Sequence, residues 1–243
     1  MRIIINYVLI ITMFTSLPLF SNAQDGTYHT IRDFETWSSI NLRYKPTDNL
    51  KLSLSQQLRL KDNSSTMDVY FTQLGLDYKL ANFLNIGFAS RLIYIGFASR
   101  LITENDDQGK IQGNESHLRW QADLEFNHSV SRFAMKYRIR YQNKDELQKT
   151  TDEIKKTIRL KVASTYNIKN WKLDPTLSAE LFNGITNNDG IYKARYTLSS
   201  DYKLKKGSVG AFLRTEKELF GNYPKRTNIL GIKYNFTIKK KNK

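Results

Sequence analysis

Apolar and polar residues alternate one by one through most of the chain, most cleanly between Ser116 and Gln142. Leu118, Trp120, Ala122, Leu124 and Phe126 share one face of an extended strand; His117, Arg119, Gln121, Asp123, Glu125 and Asn127 share the other. Phe133, Met135, Tyr137, Ile139 and Tyr141 then alternate with Arg132, Ala134, Lys136, Arg138, Arg140 and Gln142. The two runs predict a hairpin connected by Asn127-His128-Ser129-Val130-Ser131, with one apolar and one charged face. A sandwich would bury the apolar face and wet the other, whereas a barrel in lipid turns the apolar face outward and keeps its charges inside.

The same period runs on from end to end without a domain break. Strands are expected over 34–45, 50–61, 70–80, 155–168, 172–182, 192–204, 209–216 and 230–238, with one more in the region 86–102. Their punctuation is turn chemistry: Pro46-Thr47-Asp48-Asn49, Ala81-Asn82-Phe83, Lys169-Asn170-Trp171 and Lys205-Lys206-Gly207 are short, while 62–67, 103–115, 143–153, 183–190 and 217–226 are longer and polar. Pro175 has no N–H to give a ladder and marks a strand start or a bulge. Counting the hairpin, eleven segments result. Single-chain bacterial barrels have even strand numbers, so the expected fold is an all-β, up-and-down transmembrane antiparallel barrel of about 12 strands (10–12). The lead-in before Phe34, or a divided segment, would supply the extra strand.

Ile86-Gly-Phe-Ala-Ser-Arg-Leu-Ile93 recurs residue for residue as 95–102. The repeat distance of nine is odd, so a continuous strand through both copies would turn Arg91 and Arg100 to opposite faces. A tandem duplication at a strand end next to a loop, with no functional consequence, accounts for this best.

Lipid rather than water is expected at the apolar face for three reasons. Short and long connections alternate, as in outer-membrane barrels. Lysines and arginines crowd the polar faces, whereas the apolar faces carry essentially no charge apart from Lys156 near a strand end. Tyr44, Tyr78, Tyr141, Tyr166, Tyr202 and Tyr234 are expected near strand ends, as interfacial girdles require.

The start of the chain agrees. Arg2 precedes an apolar run, 3–20, that ends in Ser21-Asn22-Ala23, so residues 1–23 read as a signal peptide and 24–243 as one barrel domain; a membrane-anchoring helix is the alternative. The formal charge is +15, of which Arg2 leaves with the leader, so +14 remains. In an exported chain this charge points to lipopolysaccharide and lipid phosphate of a Gram-negative outer membrane, or to small anionic solutes, and not to nucleic acid. The barrel assembly machinery would be a further partner.

The strand holding Trp37, the stretch Gln56-Gln57-Leu58-Arg59-Leu60, the strand Leu74-Gly75-Leu76-Asp77-Tyr78 and above all Asp174-Pro175-Thr176-Leu177-Ser178-Ala179-Glu180-Leu181-Phe182-Asn183 resemble the exported barrel family called domain of unknown function 2490. The resemblance spans most of the chain after residue 23 and implies an outer-membrane β-barrel. It brings no activity with it. The nine-residue duplication and the tail Lys239-Lys240-Lys241-Asn242-Lys243 depart from the family pattern.

Candidate chemistry is sparse. The chain has no cysteine, and His29, His117 and His128 are too dispersed for a metal site, so no cofactor is expected. His117, beside Glu115 and Ser116, is the one weak catalytic candidate for a lipid hydrolase, but neighbours in a strand point to opposite faces and His117 and Ser116 should not meet. The stronger candidates are the charges expected to line the lumen: Glu35, Arg59, Arg119, Asp123, Glu125, Arg138, Arg140, Arg159, Glu180, Arg195, Arg214 and Glu216. They suit a packed salt-bridge interior or a narrow, basic, anion-favouring pore. A hydrolase, a structural or adhesive barrel, and a soluble lipocalin-like binder are the alternatives.

Overall fold

The alternation becomes eleven strands in a computed structural model that describes residues 30–95, 115–146, 154–186, 190–221 and 223–239, the side chains at 93–95, 115, 116 and 146 excepted. In order they are β1 (Ile31–Lys45), β2 (Leu50–Lys61), β3 (Thr66–Lys79), β4 (Leu84–Ile95), β5 (Glu115–Val130), β6 (Phe133–Glu146), β7 (Lys155–Tyr166), β8 (Leu173–Gly184), β9 (Gly190–Leu204), β10 (Gly207–Glu218) and β11 (Lys225–Lys239). Each pairs antiparallel with the next, and β1 closes on β11 to make an up-and-down barrel.

The count of eleven lies within the expected 10–12 and equals the number of segments read from the sequence, without the twelfth strand that an even number asks for. With an odd number, the first and last strands run the same way, and β1 and β11 pair in parallel from Ile31 opposite Lys225 to Lys45 opposite Lys239. No additional strand is needed to remove the edges. The start of β1 lies at the end of the barrel that carries the longer connections, and the end of β11 at the short-turn end. Residues 1–23, expected as a leader, and most of the lead-in lie outside the described residues.

The hairpin turn also differs from expectation. Pairing runs on to Val130 opposite Phe133, leaving only Ser131-Arg132 as the turn, with Ser131 at φ 54°. Stacking extends the strands: the His128 ring lies 5.6 Å from Tyr137 in parallel planes. Similarly β6 runs to Glu146, into the stretch expected as loop, because Gln142, Asn143 and Lys144 find ladder partners on β7. Pro175 behaves as expected: the β7 ladder begins at Thr165 opposite Thr176, one residue beyond it. The first duplicate copy forms β4; residues 96–102 of the second lie outside the described residues.

The faces separate by chemistry. Ile40, Leu74, Phe88, Leu177, Leu198, Leu213 and Ile232 are exposed on the outer face. By strand alternation the charged residues of that face are Arg32, Asp145, Lys156, Lys217 and Arg226, all at the long-connection end. Aromatic side chains gather at the opposite end, where Phe83, Phe126, Tyr137, Phe133 and Tyr166 make ring contacts at 5.0 to 6.2 Å. Tyr44, Tyr78 and Tyr202 sit near that end too, but Tyr141 does not: it lies mid-strand, 5.2 Å from the Trp120 ring.

Inside, Trp37, Phe212 and Ile229 form a small apolar core, with Trp37 and Phe212 edge to face at 6.4 Å. Gly231 makes it possible, since a Cβ there would stand 1.9 Å from the tip of the Phe212 ring. Gly231→Val should therefore expel Phe212 and destabilise the barrel by about 1–3 kcal/mol, as overpacking does. The check is the temperature at which the compact unboiled gel band disappears. Phe212→Ala in the same chain should recover part of the loss.

Candidate functional site

Strand alternation puts the twelve charged residues expected to line the interior on the face opposite the exposed apolar one. Arg138 on β6 reaches over β7 to Glu180 on β8 at 2.8 Å, a bond that skips a strand and suits side chains within the barrel. Glu180, 3% exposed, is the hub. Its carboxylate accepts from Arg138 and Arg159 at 2.8 Å and from Arg195 at 3.2 Å. Arg195 continues to Glu216 at 2.7 Å, and Lys193 stands 3.7 Å from the same carboxylate. The row Glu125, Arg138, Lys161, Glu180, Arg195 and Glu216 explains the network, because these residues face one another across successive strands.

A second pair is bidentate, Arg140 donating to Asp123 at 2.6 and 2.7 Å. Glu125 takes Lys136 at 2.8 Å, and Glu35 accepts from the Trp37 indole N–H at 2.7 Å. Gly87 lies between Asp77 and Asp123 in the ladder, and a Cβ there would meet the Asp77 carboxylate at 2.9 Å.

Other arginines are held without an acid. Arg59 donates to Gln57 at 3.0 and 3.1 Å and lies 3.7 Å over the Trp37 ring. Arg91 donates to Gln73 and lies 3.7 Å over Phe71. Arg214 donates to Thr197 at 3.0 Å and stands 4.6 Å from the Phe212 ring. Phe182 is shared by Arg159 at 4.4 Å and Arg195 at 4.7 Å. Arg59, Arg91, Arg119, Arg214 and Lys161 make no ion pair among the described residues.

Sequence reasoning missed these platforms. Trp37, Phe71, Phe182 and Phe212 were visible as aromatic residues at polar-face positions, where an inward ring can face a guanidinium. Gln57, Gln73, Lys161 and Arg91 are legible by the same parity, which carries Arg91 beyond its part in the duplication.

His117 is inside as well, 6% exposed, opposite Ile93 and Glu146 in the ladders. The side chains of Glu115 and Ser116 lie outside the described residues. His128 is on the outer face against Tyr137, and His29 lies outside the described residues. Among the described residues no three metal-binding side chains come together.

A family model described as protein of unknown function (DUF2490) matches residues 34–212. Comparison with curated proteins and with solved structures returns no match.

Proposed function

The chain belongs to the DUF2490 family of proteins of unknown function, which carries no activity to transfer, and we propose from its geometry that it is an outer-membrane β-barrel with a narrow, cation-lined interior that favours small anions. The membrane half of this reading rests on the outer face. Ile40, Leu74, Leu177, Leu213 and Ile232 are each more than half exposed on different strands, and charge is confined to one rim. In water a continuous apolar belt of this kind would drive association; in a bilayer it meets its own solvent. The aromatic band at the short-turn end supports the same reading, as does the leader-like segment 1–23. On this reading the partners are outer-membrane lipid, lipopolysaccharide and the barrel assembly machinery.

The anion preference rests on interior cations without an acid, Arg59, Arg91, Arg119, Arg214 and Lys161 among them. Confined positive charge between low-dielectric walls attracts anions and repels cations. Arg138 and Arg140, which the sequence alone would nominate for a selectivity test, are poor choices because they are tied to Glu180 and Asp123. Arg91 and Arg119 are the informative positions.

The test is planar-bilayer conductance in a salt gradient. Wild type should show a reversal potential of anion preference, and Arg91→Glu with Arg119→Glu should abolish or invert it. Cation preference in the wild type would contradict the reading. A second reading, a barrel that transports nothing, is favoured by the bonds from Arg138, Arg159 and Arg195 that converge on Glu180 and fill the interior. A folded barrel that never conducts would decide for it.

A further inference from the structure

We infer that Arg119 and Arg91 form the basic wall of an oxyanion-binding site inside the barrel, selective for phosphate-like groups over chloride. The inference rests on the anion-favouring interior proposed above and names the ligand chemistry and the residues that take it.

Arg91 on β4 and Arg119 on β5 are direct ladder partners, and both point inward. Like charges facing each other across neighbouring strands repel. The residue opposite Arg119 on the next strand is Lys144, a further cation. The charged groups acting most strongly on Arg119 are Arg159, Arg59, Arg140 and Arg195, cations without exception. An arginine cannot escape such surroundings by losing its proton. Every other interior arginine described above has an acid, an amide oxygen, a hydroxyl or a ring face. The buried Nε of Arg119 has no hydrogen-bond partner, and neither has the side-chain oxygen of Gln121, the next residue on the same face and 3% exposed.

Arg119 presents a guanidinium Nε–H with no acceptor, and its ladder partner Arg91 has N–H donors besides those it gives to Gln73. The group that satisfies them is an anion with several oxygens, which the Arg119 fork can grip while Arg91 donates from the nitrogen not bonded to Gln73. Gln121, whose amide can present either its oxygen or its NH₂, adds a donor beside them. Chloride offers one centre and no such geometry. A free phosphate and a lipid phosphate share the chemistry, but the interior position of both arginines commits the site to the free anion.

The test uses full-length folded protein in dodecyl maltoside, titrated with inorganic phosphate by calorimetry in constant chloride, so its outcome does not depend on conductance or on cellular location. The expected result is saturable phosphate binding, weakened at least tenfold in Arg119→Gln and in Arg91→Gln and unchanged in Arg226→Gln, on the outer face. Arg119→Lys, which keeps the charge but loses the fork, should also bind more weakly. Folding of each variant is verified by its unboiled gel band, and phosphate should raise the melting temperature of wild type but not of Arg119→Gln. No saturable binding by folded wild type, equal binding by the Arg119 and Arg91 variants, or binding of phosphatidic acid micelles without binding of inorganic phosphate would each overturn the inference. Conductance without anion preference in a protein that binds phosphate would overturn the pore reading alone.

Discussion

Glu180→Gln should be the most damaging single substitution in the barrel interior. The glutamine keeps the shape but removes the one negative charge on which Arg138, Arg159 and Arg195 converge. Of these, Arg195 retains Glu216, and Arg159 retains an uncharged bond to Gln142 at 3.1 Å. Removing one partner of a buried ion pair costs about 3–5 kcal/mol because the other charge stays buried. That is a large part of the roughly 5–15 kcal/mol that holds a typical domain together. The folded gel band should therefore be lost at markedly lower temperature. Asp77→Asn is the contrast: its partner Lys51 stands 3.1 Å away, and both side chains are about two-fifths exposed. Its loss should cost about 0–1 kcal/mol. Adding Arg138→Met to Glu180→Gln should recover part of the deficit, since it removes one of the stranded charges.

Leu213→Arg should prevent stable assembly in the membrane. Leu213 is 59% exposed in the middle of β10, flanked in the ladders by Leu198 and Leu230. If this face meets lipid, a charge at mid-height costs about 2–4 kcal/mol. If it met water, the same change would leave folding nearly untouched and improve solubility. The measurement is the fraction of protein that acquires the compact gel form in membranes, wild type against variant. Lys217, on the same face of the same strand but at its end, should tolerate replacement by leucine or arginine alike.

The strands were legible because a barrel wall enforces one rule at every residue: odd and even positions meet different surroundings. That rule placed Glu180, Arg138 and Arg195 inside without any view of the fold. It could not say that Arg138 would reach past Lys161 to Glu180, since which side chains meet inside a closed barrel depends on strand stagger. The twelfth strand was expected for a different reason. The even-number expectation treats both chain ends as lying on one side, whereas the β1 and β11 registers match well enough for a parallel seam. Strand ends were missed where pairing overrode polarity, as at Asn143 and Lys144, which look like loop yet pair with Lys156 and Lys155. The aromatic residues on polar faces were visible, but alternation gives only their face, and which arginine each ring takes inside the barrel depends on strand stagger.

The most direct test of the account is the behaviour of the protein in membrane fractions, run unboiled and boiled on denaturing gels. The account predicts protein in the outer-membrane detergent extract, shortened by the leader, with an unboiled band that migrates apart from the boiled one. A single unshifted band recovered in the soluble periplasm would contradict it, and with it the pore.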